Sequence, residues 1–484
     1  MAALPVAIIG AGPVGLAAAA HLAGRREPFV VLEAGPEVGH AIRQWGHVRV
    51  FSPWRYNIDK AALRLLKAAG WSHPDPDSLP TGHEIVSLYL EPLASLPALK
   101  HGIRLASRVT AVGRRDTDKL KSAGRDDQPF ALRVTPANGE EYELLARAVI
   151  DCSGTWLTPN PLGSSGYPVP GERAASDALA YGIPDVLGRA RPHYAGKTTL
   201  VVGSGHSATN AVLDLATLAE ASPGTRVLWA IRRSDTSTLF GGESADALAA
   251  RGELGSDARE AVNSGRVELL TGFRARRLER HSDGRLRVRG LLGEHETELL
   301  VDRLIVATGL RPDFSFLQEV RLGLDPWLET MPVLAPMIDP NLHSCGTVRP
   351  HGAAELAHPE KNFYMAGIKS YGRAPTFLLA TGYEQVRSIV AALSGDHASA
   401  KRVELDLPQT GVCTVTPRKT EKAVAASGCC GPAKEPAAIA TAPVAAAAVA
   451  AESCCGGPAP AESDACCVAD VEAKVEGKTG CGCS

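Results

Sequence analysis

Two sets of small residues stand at spacings suited to holding phosphate: Gly10-Ala11-Gly12-Pro13-Val14-Gly15 near the start of the chain, and Gly203-Ser204-Gly205-His206-Ser207-Ala208 roughly 190 residues later. In this pattern the first glycine permits a tight turn and the second lets main chain approach a pyrophosphate with no side chain in the way. The third, Gly15 or its permitted substitute Ala208, allows a helix to pack closely. Such a turn needs a strand before it and a helix after it. Val6 to Ile9 and Thr198 to Val202 are the predicted strands, and the small, helix-favouring runs Leu16 to Leu22 and Thr209 to Leu218 the predicted helices. Each helix N-terminus then offers unpaired N–H groups and a positive dipole end to the phosphates. Two nucleotides held at once are the expectation.

The strand after each turn separates the two sites. Phe29 to Leu32 ends in Glu33, where a carboxylate can accept hydrogen bonds from a ribose diol. Arg226 to Ile231 ends instead in Arg232-Arg233. Guanidinium groups bind a 2′-phosphate as a fork where a carboxylate would repel it, so NADPH is expected in preference to NADH. A solvated arginine pair at a strand end is the plainer alternative.

A strand and turn, Ala148-Val149-Ile150-Asp151-Cys152-Ser153-Gly154, recurs as Leu304-Ile305-Val306-Ala307-Thr308-Gly309. The repeat resembles the crossings of two-dinucleotide flavoproteins, in which the chain leaves an FAD domain, builds an NAD(P)H domain and returns. That resemblance implies an α/β fold with two Rossmann-like domains. Residues 1–160 and 310–408 would be the halves of the FAD domain, residues 161–309 the inserted NADPH domain, and Pro159 to Gly171 the first hinge. Asn362 to Gly367 would close the FAD domain as a strand and turn before an apolar helix from Thr376 to Leu393.

Composition limits the function classes. With 484 residues, 45% apolar content and a formal charge of −2, the chain has room for two or three ordinary cores. Its arginine clusters are interspersed with acids, which disfavours a nucleic-acid partner. No charged leader precedes the strand at Val6, and the alanine-rich Ala437 to Ala451, interrupted by Pro443, is too short for ~30 Å of hydrocarbon. A soluble, cytoplasmic protein without a membrane partner is expected, with a homodimer left open.

Cysteine is distributed unevenly. Cys152 and Cys345 precede residue 410, whereas Cys413, Cys429, Cys430, Cys454, Cys455, Cys466, Cys467, Cys481 and Cys483 crowd the C-terminal part. Neighbouring cysteines are poorly placed to bridge one another, so reduced thiols are expected. Residues 409–484 contain no Phe, Tyr or Trp and should form a disordered tail, because little apolar burial offsets the entropy of ordering. As a coil of about 75 residues it would reach roughly 50 Å.

Taken together, these motifs resemble the flavin-containing monooxygenase and thioredoxin-reductase-like superfamily over residues 1–408, which implies FAD and NADPH as cofactors. Gly154, Gly309 and Gly367 would then be turns against the nucleotides, beside Pro13, His206 and Ser207 of the glycine turns. Thioredoxin reductases carry a redox-active CxxC within the fold, and this sequence has none. The monooxygenase pattern FxGxxxHxxx(F/Y)(K/R) is matched within Val186 to Lys197 only at Gly188 and Lys197. Arg43 to Trp54, His343 to Gly352 and Lys369 to Phe377 are similar to a narrower group, the ArsO-type flavoprotein monooxygenases encoded with arsenic-resistance genes. That similarity implies oxidation of trivalent arsenicals, methylated ones included, with O₂ as co-substrate and hydride passing from NADPH to FAD.

Arsenic(III) is thiophilic, and the tail supplies Cys429-Cys430, Cys454-Cys455, Cys466-Cys467 and the Cys481/Cys483 pair as candidate ligands; zinc binding and simple redox buffering are the competing readings. Cys345, flanked by His343 and His351, is a candidate substrate thiolate or a packing residue. Trp45, Phe51 and Trp54 are a candidate wall of the flavin site or members of the core. Two rival functions remain: an NADPH-dependent reductase that passes electrons through tail dithiols, and a metalloid-buffering protein.

Overall fold

The computed structural model describes residues 3–241, 249–341, 349–374 and 377–405. In the first lobe the strands are β1 (Val6–Ile9), β2 (Phe29–Leu32), β3 (Ile103–Arg104), β4 (Ser107–Arg114), β5 (Phe130–Pro136), β6 (Tyr142–Ala146) and β7 (Ala148–Asp151). The second lobe carries β8 (Leu179–Tyr181), β9 (Thr198–Val202), β10 (Arg226–Ile231), β11 (Glu268–Thr271), β12 (Phe273–Arg280), β13 (Leu286–Leu292), β14 (His295–Val301) and β15 (Arg303–Val306). The chain then returns to the first lobe for β16 (Phe363–Met365).

Each lobe has a five-stranded parallel sheet, ordered β16-β7-β1-β2-β3 in the first and β11-β10-β9-β15-β8 in the second. In the first lobe the central strands β1 and β7 are buried at every residue, and in the second β9 and β15 are buried at all but their first, as strands covered on both faces require. A three-stranded antiparallel sheet accompanies each parallel one, β4-β5-β6 and β12-β13-β14. The fold is therefore α/β with two Rossmann-like halves, and the first sheet draws β16 from more than 200 residues beyond β7.

Helix α1 (Pro13–Gly24) follows β1, helix α2 (His206–Ala221) follows β9, and helix α3 (Leu379–Leu393) follows β16. Leu16, Leu22 and the alanines 17 to 20 of α1 are all buried. Its small side chains let it pack between β1 and α3 without spreading them. Pro13 stands at the first turn, where its missing N–H costs nothing.

A buried charge cluster fastens the antiparallel sheet of the first lobe to the returning chain. The carboxylate of Glu360 accepts from Arg114 Nε at 2.8 Å and from Arg125 at 2.8 Å, and these three residues are almost fully buried. The remaining guanidinium donors reach the carbonyls of Gln128, Lys361, Thr117, Asp118 and Glu319, so every charge is enclosed and hydrogen-bonded.

The two passages between lobes run side by side. Pro159 bridges Leu310 in antiparallel fashion, the Asn160 amide donates to Gly309 O at 2.9 Å, and the Arg311 amide donates to Thr158 O at 2.9 Å. Thr308 Oγ1 adds a bond to Asn160 O at 2.8 Å. The start of the region read as the first hinge, Pro159 and Asn160, thus lies in a short ribbon whose other strand is the returning passage.

Candidate functional site

At the first glycine turn, Gly10 has φ +102°, and a Cβ there would lie 2.8 Å from Cys152 O. Backbone of this sign, pressed against a neighbouring turn, admits glycine alone. A Cβ at Gly12 would meet nothing within 4 Å, which marks the open face. Gly12 caps α1 without a side-chain bond and no acid lies in the helix's first turn, so the terminal amides face that opening uncompensated. A Cβ at Gly15 would strike Gly10 O, which explains the close helix packing.

Glu33 follows β2 at the same rim. Its Oε2 accepts from the Ala11 amide at 2.7 Å and its Oε1 from the Gly35 amide at 2.8 Å. The carboxylate is held rigid, and each oxygen keeps a second lone pair for a ribose hydroxyl. Beside it the turns at Gly154 (φ +73°) and Gly367 (φ +74°) end β7 and β16, and the Gly367 amide donates to Gln385 Oε1 at 2.8 Å. This constellation fits the phosphates and ribose of an FAD.

The second turn repeats the design. Gly203 has φ +146° and would place a Cβ 2.2 Å from Ala307 O, the turn that leads to Gly309. The Gly205 position is open to 4 Å, and α2 begins at His206 and Ser207 with no side-chain cap. Arg232 and Arg233 leave β10 exposed; among the described residues Arg232 reaches Ser164 O, and Arg233 the Thr238 hydroxyl. Neither has a carboxylate partner among the described residues, so both guanidinium groups are available to a phosphate. The donor set fits NADP(H).

The residues sequence reasoning grouped as a wall separate in space. Trp54 is 2% exposed and belongs to the core of the first lobe. Trp45 lies at the seam between lobes, with its ring 6.2 Å from that of Trp156. Phe51 lies 5.1 Å from the ring of His206 at the start of α2. Trp156 Nε1 donates to Gln44 Oε1 at 2.9 Å, and Arg189 reaches Gln44 O at 3.4 Å. The segment 44–51 of the first lobe therefore rests on the second nucleotide turn.

Two buried polar networks escaped the sequence reading, one of them around His351, which the sequence offered only as a flank of Cys345. Lys369 and Asp151 are fully buried, with Nζ 2.6 Å from Oδ2. Nζ also donates to Ser153 Oγ and Asp313 O, which uses all three of its protons. Behind Gly367, Gln385 Nε2 donates to Ser370 Oγ and to His351 Nε2, both at 2.8 Å, while His351 Nδ1 lies 3.1 Å from Arg349 O. That pattern fixes His351 as the neutral Nδ1–H form, and its burial lowers its pKa. Histidine and lysine embedded in apolar stretches carry no periodic signal, so only spatial neighbours reveal these roles.

Cys152 is the one cysteine among the described residues, and it has no partner. Its side chain is half-buried; desolvation pushes the thiol well above the ordinary value and Asp151 adds to the rise, which favours the protonated form. Cys345 and the tail cysteines Cys429, Cys430, Cys454, Cys455, Cys466, Cys467, Cys481 and Cys483 lie outside the described residues. Among the described residues no cluster of His, Cys, Asp and Glu is suited to a metal, and no helix is long and apolar enough to cross a membrane.

A family model described as pyridine nucleotide-disulphide oxidoreductase matches residues 4–331. No curated protein matches the chain. Among solved structures, a bacillithiol disulfide reductase from Bacillus cereus is similar at 18% identity and a TM-score of 0.59, covering 81% of this chain and 100% of its own. A cadaverine monooxygenase of the desferrioxamine pathway from Erwinia amylovora, bound to FAD, is similar at 14% identity and a TM-score of 0.55, covering 87% of this chain and 100% of its own. Thioredoxin reductase from T. acidophilum follows at 15% identity and a TM-score of 0.52, over 81% and 99% of the two chains. At these identities the likeness concerns the fold.

Proposed function

The chain belongs to the pyridine nucleotide-disulphide oxidoreductase family, whose cofactors are FAD and NADP(H), and from that premise we propose that it is an NADPH-dependent flavoprotein monooxygenase that oxidises trivalent arsenicals. Residues 1–160 and 310–408 form the FAD part in this reading, and residues 161–309 the NADPH part. The bound flavin supplies two-electron exchange with NADPH and reactivity toward O₂. Overall, NADPH gives two electrons, one oxygen atom passes to arsenic as it goes from the trivalent to the pentavalent state, and the other leaves as water.

The protein's own residues bind and align. Gly10, Gly12 and Glu33 hold one dinucleotide; Gly203, Gly205, Arg232 and Arg233 hold the other. The seam residues Trp45, Phe51 and Trp156 exclude water where the two would meet. No side chain need act as acid or base, because arsenic(III) brings its own lone pair.

One observation favours an oxygenase over a disulfide reductase: Cys152 is a half-buried thiol without a disulfide partner, and no CxxC exists within the fold to relay electrons. Tail thiols would capture the metalloid in this reading. Deleting residues 409–484 tests the function. The truncated protein is expected to retain arsenite-dependent consumption of NADPH and O₂ and to yield arsenate. Loss of that activity with flavin still bound would favour a reductase or a metalloid buffer acting through the tail dithiols.

A further inference from the structure

A cavity of about 370 Å³ opens on the seam between the lobes, within the size range of small-molecule sites. Its apolar wall consists of Trp156, Leu157, Ile183, Leu310 and the prolines 159 and 184, drawn from both passages between lobes and from the segment after β8. Leu157 is 55% exposed and Tyr181 is 40% exposed, so large apolar side chains stand uncovered at its mouth. Gly182 forms the floor beneath Trp156, where a Cβ would lie 2.9 Å from the indole ring. The main chain there is thus fitted to that ring.

Gln44 and Arg189 bring donors to the cavity, whereas Tyr181 brings only an acceptor oxygen. Gln44 spends its Oε1 on Trp156 Nε1, which leaves its Nε2 to donate. Tyr181 spends its hydroxyl proton on Glu172 Oε1 at 2.8 Å. The guanidinium of Arg189 is exposed and makes only the 3.4 Å contact to Gln44 O, with no carboxylate partner among the described residues. Nearby Asp185 directs its carboxylate to the backbone amides of Gly188 and Arg189. A ligand that satisfies this cavity must bring an apolar body and acceptor oxygens, and an open guanidinium beside an amide donor selects an oxyanion.

We propose that the seam cavity is a binding site for a small organic anion, an apolar or aromatic body bearing a carboxylate or similar oxyanion, with Arg189 as its charge partner. Identifying that ligand with the enzyme's substrate or product rests on the monooxygenase reading; the binding itself does not. Placed beside Trp45 and the passage at Leu310, the site would present its occupant to the junction of the two nucleotides.

The test is a titration of the full-length flavoprotein with benzoate, followed by quenching of tryptophan fluorescence, with benzyl alcohol as the neutral probe of the same body. Benzoate is expected to bind at least tenfold more tightly than benzyl alcohol. Arg189→Gln should reduce benzoate to the affinity of benzyl alcohol while flavin content and flavin reduction by NADPH stay unchanged. Gly182→Ala, which displaces Trp156, should weaken both probes. Equal benzoate affinity in wild type and Arg189→Gln would overturn the proposal. So would competitive displacement of benzoate by NADP⁺, which would assign the cavity to the dinucleotide. Benzoate binding without arsenite-dependent turnover would keep this site and discard the arsenical reading.

Discussion

At the scale of single residues, the informative positions are those whose chemistry can be read only in one direction. Arg232 and Arg233 stand at the end of β10 without carboxylate partners among the described residues, and in the proposed reading they meet a phosphate that NADPH has and NADH lacks. Replacing both with glutamine is expected to lower the ratio of kcat/KM for NADPH over NADH by about tenfold to a hundredfold, since charge-assisted bonds contribute roughly 1.5–3 kcal/mol. An unchanged ratio in steady-state kinetics would return the pair to the status of solvated surface. His358 is a different case, because burial pushes its pKa down to about 4 from the ordinary 6.5. The unfolded chain therefore takes up the proton first. The contribution of a neutral His358 is complete above pH 6.5 and is lost as the pH falls toward 4, an interval equivalent to about 3 kcal/mol. Buried His351 shifts in the same direction. Urea midpoints should drop across this window in the wild type, and less in His358→Phe.

Elements show which parts of the molecule a sequence can announce. Beta strands β1, β2, β9 and β10 and their glycine turns were legible because a parallel strand covered on both faces reads as an unbroken apolar run that ends at a conformationally demanding turn. The antiparallel sheets β4-β5-β6 and β12-β13-β14 were not, since their strands are laced with arginine and glutamate that pair across the exposed face. Of the site, the phosphate turns and Glu33 could be named from spacing. The Lys369–Asp151 pair and the Gln385–His351 network join residues far apart in the chain, and no local pattern predicts a buried partner at that separation. Glu360 illustrates the energetic stake of such pairs. Glu360→Gln leaves Arg114 and Arg125 buried without their counter-charge, and breaking buried pairs of this kind costs about 3–5 kcal/mol. Chemical denaturation should record that loss while the purified variant stays yellow; a loss below about 1 kcal/mol would mean that water or relaxation replaces the carboxylate.

For the whole molecule, the paired passages at Thr158 to Asn160 and Gly309 to Arg311 govern more than the angle between lobes. Entry and exit lie within one hydrogen bond of each other, so the covalent attachment of everything between them is a single stem, and the further contacts of Phe51 with His206 and of Arg189 with Gln44 are non-covalent. A module attached in this way is portable: closing the stem with a few flexible residues leaves the ends of the remaining chain already in register. A protein in which residues 161–308 give way to a short glycine-serine bridge should therefore fold and retain flavin while losing reduction by NADPH. Failure to recover a coloured product would show that the first lobe needs its guest for stability. The same economy of attachment suits grafting, since a foreign nucleotide module with adjacent termini could be seated on the stem to give the flavin a different electron donor.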